Sequence, residues 1–141
     1  VPELLVLPGC GPLTAAKLVA ETAGVGRFPS DAKLARLAGV APIPASSGNR
    51  QRRGGNRQLN CALHRIAVTQ GRVHAPACEF LDRKQAEGKS RKEALRCLKR
   101  HLARTVWQAL RAARDRESIN SLSLIDRVPK LRPAEELLLM P

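Results

Sequence analysis

The chain has 141 residues, with 25 lysines and arginines against 12 aspartates and glutamates and a formal net charge of +13. That excess is beyond what solubility requires, so a polyanion is the expected ligand and DNA the first candidate. Apolar runs are too short to span a bilayer, and Pro8 and Gly9 break the opening apolar stretch before any positive region, so no membrane contact and no signal peptide are expected and the chain reads as cytoplasmic, close to the nucleoid.

Aromatic residues are limited to Phe28, Phe80 and Trp107, so a core must be packed from Leu, Ala, Val and Ile, which suits an all-α domain of modest size. The first element is Leu7-Pro8-Gly9-Cys10-Gly11-Pro12-Leu13-Thr14-Ala15-Ala16-Lys17-Leu18-Val19. Two glycines one residue apart allow positive φ and a close approach of main-chain N–H groups to a phosphate. Pro12 suits the first turn of a helix whose free N–H groups and dipole favour an anion. The stretch reads as a helix-hairpin-helix spanning 1–26, with Gly9, Gly11, Thr14 and Lys17 as candidate DNA contacts.

From Pro12 to about Ala23 the pattern is helical, with Leu13, Ala16, Val19 and Ala20 on one side, and Gly24 and Gly26 end it. Ser30 is placed to cap a short helix over Asp31–Ala38, with Leu34, Leu37 and Ala38 inward and Gly39 as its stop. Phe28, just before it, reads as a core plug. The two prolines of Val40–Ala45 exclude helix and lead to Ser46-Ser47-Gly48 and the wholly polar Asn49-Arg50-Gln51-Arg52-Arg53-Gly54-Gly55-Asn56, a loop over 40–56. No acidic residue occurs between Asp31 and Glu79, whereas Lys33, Arg36, Arg50, Arg52, Arg53, Arg57, Arg65 and Arg72 do, which suggests one basic face.

Asn56 is suited to cap a helix through Leu59, Ala62, Leu63, Ile66 and Ala67 to about Gln70. Pro76 opens another, with Phe80 and Leu81 inward and Gly88 at its end. Ser90-Arg91-Lys92-Glu93 is a capping box that opens the longest helix, on which Leu95, Leu98, Leu102, Val106 and Leu110 recur at helical spacing to about Ala113. Arg91, Lys92, Arg96, Lys99, Arg100 and Arg104 form a second basic stripe there, either a nucleic-acid contact or a solvated face; Trp107 reads as core. Ser118, Asn120, Ser121 and Ser123 weaken the pattern, and 116–141 reads as an irregular tail after a domain over 1–115.

Cys10, Cys61, Cys78 and Cys97 lack the paired short spacings of a zinc ribbon or a disulfide framework and read as free thiols. Cys61 with His64 and His74 with Cys78 are a conceivable Cys₂His₂ set, yet the same residues fit the inner faces of alanine-rich helices, so no metal site is assigned. The carboxylates are scattered over different elements, and no histidine has an evident orienting carboxylate, which excludes both a two-magnesium nuclease and a Ser-His-Asp hydrolase within this sequence. A serine hydroxyl beside Gly48 could attack a phosphodiester if Arg50, Arg52, Arg53 and Arg57 supplied the positive field and held the phosphate. Ser-Ser-Gly alone is common in polar linkers, so residue types leave both readings open.

A longer series of blocks changes the weight. Leu7 to Ala16, Arg27-Phe28-Pro29-Ser30, Leu37-Ala38-Gly39-Val40-Ala41-Pro42 with Ser46-Ser47-Gly48, Gly55-Asn56-Arg57-Gln58-Leu59-Asn60, and Arg96 to Arg104 together resemble the C-terminal domain of IS110/IS116/IS902-type transposases. The resemblance implies a recombinase divided between two domains, an acidic RuvC-like half that binds magnesium and the half seen here, which supplies a serine that becomes linked to DNA. Matched to the motif, that serine is Ser47, with Ser46 the fallback. The resemblance also implies a guide RNA and a homo-oligomer, and no cofactor bound by this chain itself. The sequence departs from the pattern in lacking the acidic half, in a shorter stretch between Gly48 and Gly55, and in having no counterpart after about Arg114. The rival reading is a non-catalytic helix-hairpin-helix module that binds DNA or RNA, or a decayed copy of such a domain.

Overall fold

The computed structural model describes residues 1–41 and 54–125, and every regular element among them is helical. In chain order these are α1 (Pro2–Leu5), α2 (Pro12–Thr22), a 3₁₀ turn at Val25–Arg27, α3 (Asp31–Leu37), α4 (Arg57–Val73), α5 (Ala75–Ala86) and α6 (Arg91–Ile125). The all-α expectation holds. No helix among the described residues is long and apolar enough to cross a membrane.

Helix α6 is the organising rod, and α1, the 3₁₀ turn, α3, α4 and α5 all pack on it, while α2 reaches the rest mainly through α4. Its inward stripe is the expected one: Leu98, Leu102, Val106 and Leu110 are buried, with Ala94 and Ala103 completely so. Alanines at the crossings let helix axes approach closely, so a core with three aromatic residues still closes. Helix α4 contributes Leu59, Ala62, Leu63, Ile66 and Ala67, all at most 1% exposed, and α5 contributes Leu81. Phe28 and Trp107 lie against this core as expected, and they are tied together, since Trp107 Nε1 donates to the Phe28 carbonyl at 3.0 Å.

The helix ends follow local chemistry. Asn56 Oδ1 accepts from the N–H groups of Gln58 and Leu59, and Ser90 and Glu93 make the reciprocal capping box at 2.8 and 3.3 Å. Ser30 stands at the N-cap of α3, but its hydroxyl makes no capping bond.

Three expectations are corrected. The side of α2 turned into the core is Ala15, Leu18 and Thr22, and the alternative apolar side stays open, with Leu13 77% exposed. Helix α4 continues to Val73 rather than Gln70, because Gly71 is accepted against the Leu81 side chain where a Cβ would crowd it. Helix α6 runs to Ile125 rather than Ala113. The serines expected to interrupt it instead turn their hydroxyls back on the helix, Ser118 to the Arg114 carbonyl and Ser121 to the Glu117 carbonyl. An ion pair from Arg116 to Glu3 of α1 holds the extension against the body.

Candidate nucleic-acid interface

The chain passes through a backbone crossing on either side of residues 42–53. Gly39 and Gly55 have φ of +66° and +110°, a region that L side chains rarely enter. Their backbones also leave no room for a side chain. A Cβ on Gly39 would overlap the Gly54 carbonyl oxygen, and one on Gly55 would lie 2.5 Å from the Leu37 oxygen and 2.6 Å from the Gly39 nitrogen. The Asn56 N–H completes the contact by donating to the Leu37 carbonyl. Both ends of the serine- and arginine-bearing stretch are therefore brought to one place on the body.

Side chains lock this crossing. Asn60, on the first turn of α4, donates through Nδ2 to the Ala38 carbonyl at 2.8 Å and, more weakly, to that of Gly39 at 3.5 Å. Its Oδ1 accepts from Lys99 Nζ of α6 at 3.1 Å. Asn56 Nδ2 donates to Glu21 Oε2 of α2 at 2.7 Å. Four helices, α2, α3, α4 and α6, thus meet at the crossing through two asparagines. Lys99 is half-buried, and desolvation, followed by the positive charge of Arg96, holds its ammonium below the ordinary lysine range.

The Gly9–Gly11 turn divides its labour. Gly9 takes φ +82° and faces α4, where a Cβ would stand 3.0 Å from Thr69 Cβ, so its missing side chain serves packing rather than approach to a ligand. Gln70 Nε2 fixes the same turn by donating to the Pro8 carbonyl at 2.8 Å. Gly11 differs from expectation in having a negative φ, −78°; it is the N-cap of α2, and nothing lies within 4 Å of where its Cβ would be. The N–H groups of Leu13 and Thr14 precede the first intrahelical bond of α2, from Ala15 to Gly11, and are the free donors of a helix start. Beside them runs a groove of about 390 Å³ between α2 and α4, lined by Thr14, Lys17, Cys61 and Arg65 among others.

The candidate residues thus fall into two groups. Thr14 and Lys17 share the α2–α4 groove with Arg65 of α4, which belongs to the basic face expected from sequence but was not among the named DNA contacts. Arg57 is exposed on the first turn of α4, beside the glycine crossing. Ser46, Ser47, Gly48, Arg50, Arg52 and Arg53 lie outside the described residues. Of the second basic stripe, Arg104 is engaged with Asp31 at 3.8 Å and Lys99 with Asn60, whereas Arg96 and Arg100 are exposed. Neither Asn60 nor its pairing with Lys99 was singled out by pattern, because an amide 39 residues from its partner leaves no periodic signal.

The four cysteines are free, Cys10 buried and Cys61 exposed, and burial pushes the Cys10 thiol above its ordinary range. Among the described residues no three His, Cys, Asp or Glu side chains gather as metal ligands.

The sequence of residues 2–81 matches the model of the transposase IS116/IS110/IS902 family. Similarity extends to the 43.6 kDa protein of insertion element IS110 from Streptomyces coelicolor, 36% identical over 115 residues, or 78% of this chain and 28% of that protein. The 42 kDa protein of insertion element IS900 from Mycobacterium paratuberculosis is 32% identical over 114 residues, covering 77% and 29%. The 44.8 kDa protein of insertion element IS116 from Streptomyces clavuligerus is 30% identical over 113 residues, covering 77% and 28%. The chain spans under a third of the length of these relatives.

Proposed function

The chain belongs to the IS116/IS110/IS902 transposase family, and on that premise we propose that it is the DNA-gripping and strand-transfer part of such a transposase. The observation that carries the reading is the glycine crossing. Gly39 meets Gly54 and Gly55 there, Arg57 follows on the first turn of α4, and Ser47, Arg50, Arg52 and Arg53 lie between these glycines in sequence. Loops that work on a ligand are held in this way by a rigid scaffold.

In the proposed reaction the Ser47 hydroxyl attacks a DNA phosphorus. A bond from serine oxygen to phosphorus forms, the bond from phosphorus to the 3′ oxygen breaks, and the serine proton ends on the departing 3′ hydroxyl. One phosphodiester is exchanged for another, so the energy of the link is conserved, and a 3′ hydroxyl later reverses the attack. Arg50, Arg52, Arg53 and Arg57 hold the phosphate and stabilise the charge that develops on it. The start of α2, with Gly11, Thr14 and Lys17, is assigned to the DNA backbone away from the scissile bond, where free helix N–H groups suit a phosphate. Gly9 acts indirectly by seating the turn on α4.

In this reading, magnesium and the acidic RuvC-like half that holds it belong to the part of the relatives' length that the chain does not span. Guide RNA and further copies of the protein are partners of the same assembly.

Binding is tested first by titrating the chain into labelled DNA at a series of salt concentrations. Tight, steeply salt-dependent binding to duplex or branched DNA supports the reading. Preference for structured RNA over DNA at equal salt supports an RNA-binding module in its place.

A further inference from the structure

Lys99 is a cation partly withdrawn from water, and among the described residues no carboxylate is paired with it. Its ammonium donates to the neutral amide of Asn60. The ion pairs among the described residues are Lys84–Glu87, Arg104–Asp31 and Arg116–Glu3, none of which involves it. Residues 42–53, which lie between the two glycines of the crossing in sequence, contain no aspartate or glutamate. Instead a second cation, Arg96, stands one turn earlier on the same helix and raises the local positive potential.

Half-buried charge without a counter-charge is costly unless a ligand supplies one. An ammonium has three donors; the Asn60 amide takes one, which leaves two for oxygen atoms of an anion. Asn60 in turn is fixed to the Ala38 and Gly39 carbonyls, so the ammonium is held at the glycine crossing rather than swinging on a free lysine stem. We infer that Lys99 and Arg96 form a seat for one DNA phosphodiester at the crossing, with Asn60 as the positioning residue. The inference rests on the DNA-binding reading above. It assigns to α6 a phosphate contact at the glycine crossing.

The test uses the whole chain, a labelled DNA duplex and anisotropy titrations across a salt series. Lys99→Gln keeps a donor for Asn60 but removes the charge, and the expected result is a log–log salt slope smaller in magnitude by about one unit, restored by Lys99→Arg. Arg96→Gln, at an exposed site with no packing role, is expected to lower the slope likewise and carries the test if the Lys99 variant does not fold. Wild-type slope and affinity in folded Lys99→Gln, or in Arg96→Gln, overturn the seat while leaving DNA binding standing. An equal loss in Lys84→Gln, which removes a charge on α5, overturns it as an effect of net charge alone. No binding of the wild type to duplex overturns the DNA reading itself, and loss of affinity confined to an RNA competitor overturns the choice of DNA.

Discussion

Gly39 and Gly55 cross backbone to backbone, each at positive φ and each with main-chain atoms of the other strand of the crossing where a side chain would begin. Alanine at either position must take a left-handed conformation, which costs about 1–2 kcal/mol, and must also displace backbone atoms. Gly39→Ala and Gly55→Ala are each expected to lower unfolding free energy by more than about 2 kcal/mol, measured by urea denaturation. Gly11→Ala, with negative φ and open space around it, is expected to leave stability within about 0.5 kcal/mol and to weaken DNA binding by keeping a phosphate away from the start of α2.

Asn60 satisfies two carbonyls of the crossing and one ammonium at once. Asn60→Leu leaves these groups partly buried without their partner, and the expected loss is about 1–3 kcal/mol. Asn60→Asp is expected to cost less than Asn60→Leu at neutral pH, because a carboxylate restores a counter-charge to Lys99 although it no longer donates to Ala38. The same urea experiment ranks the two.

These two residues also show what was and was not legible in the sequence. Glycines, caps and the heptad-like leucines of α6 act within a turn or two of themselves, so the order of helices, the capping box at Ser90 and the cap at Asn56 could be read directly. The end of α6 could not, because a serine signals a break only if its hydroxyl competes with the helix, and Ser118 and Ser121 instead bond back along it. The face of α2 was ambiguous for another reason: Leu13, Ala16 and Ala20 are as apolar as Ala15 and Leu18, and only the position of α4 decides which side is covered. Likewise Gly9 and Gly11 look equivalent in sequence, yet one is consumed by contact with Thr69 and the other left open. The pairing of Asn60 with Lys99 depends on two helices meeting, which no local pattern carries.

The capping box makes stability depend on pH. Bonds from the Ser90 backbone N–H and then the Ser90 hydroxyl lower the Glu93 carboxyl below its ordinary 4.5. A carboxyl lowered on folding contributes stability that is complete above its unfolded value and is lost as pH falls through its folded value. The difference in melting temperature between wild type and Glu93→Ala is therefore expected to be largest near neutrality and to shrink once pH drops below about 4.5.

Trp107 joins α6 to the turn before α3 through its hydrogen bond to the Phe28 carbonyl. Trp107→Phe keeps most of the apolar contact but removes the donor, and about 1 kcal/mol of stability is expected to go with it. DNA affinity is expected to be unchanged, which a titration of the folded variant checks; a loss of binding in that variant points to a stacking role for the indole.

In the proposed reaction Ser47 becomes covalently joined to DNA. It is tested most directly by incubating the chain, in an assembly that supplies the acidic RuvC-like half and magnesium, with a DNA substrate, and by mapping any protein–DNA adduct by mass spectrometry. The expected result is a phosphodiester on Ser47 that disappears in Ser47→Ala while DNA binding persists. An adduct that survives in Ser47→Ala, or one mapped to a residue other than Ser47, contradicts it.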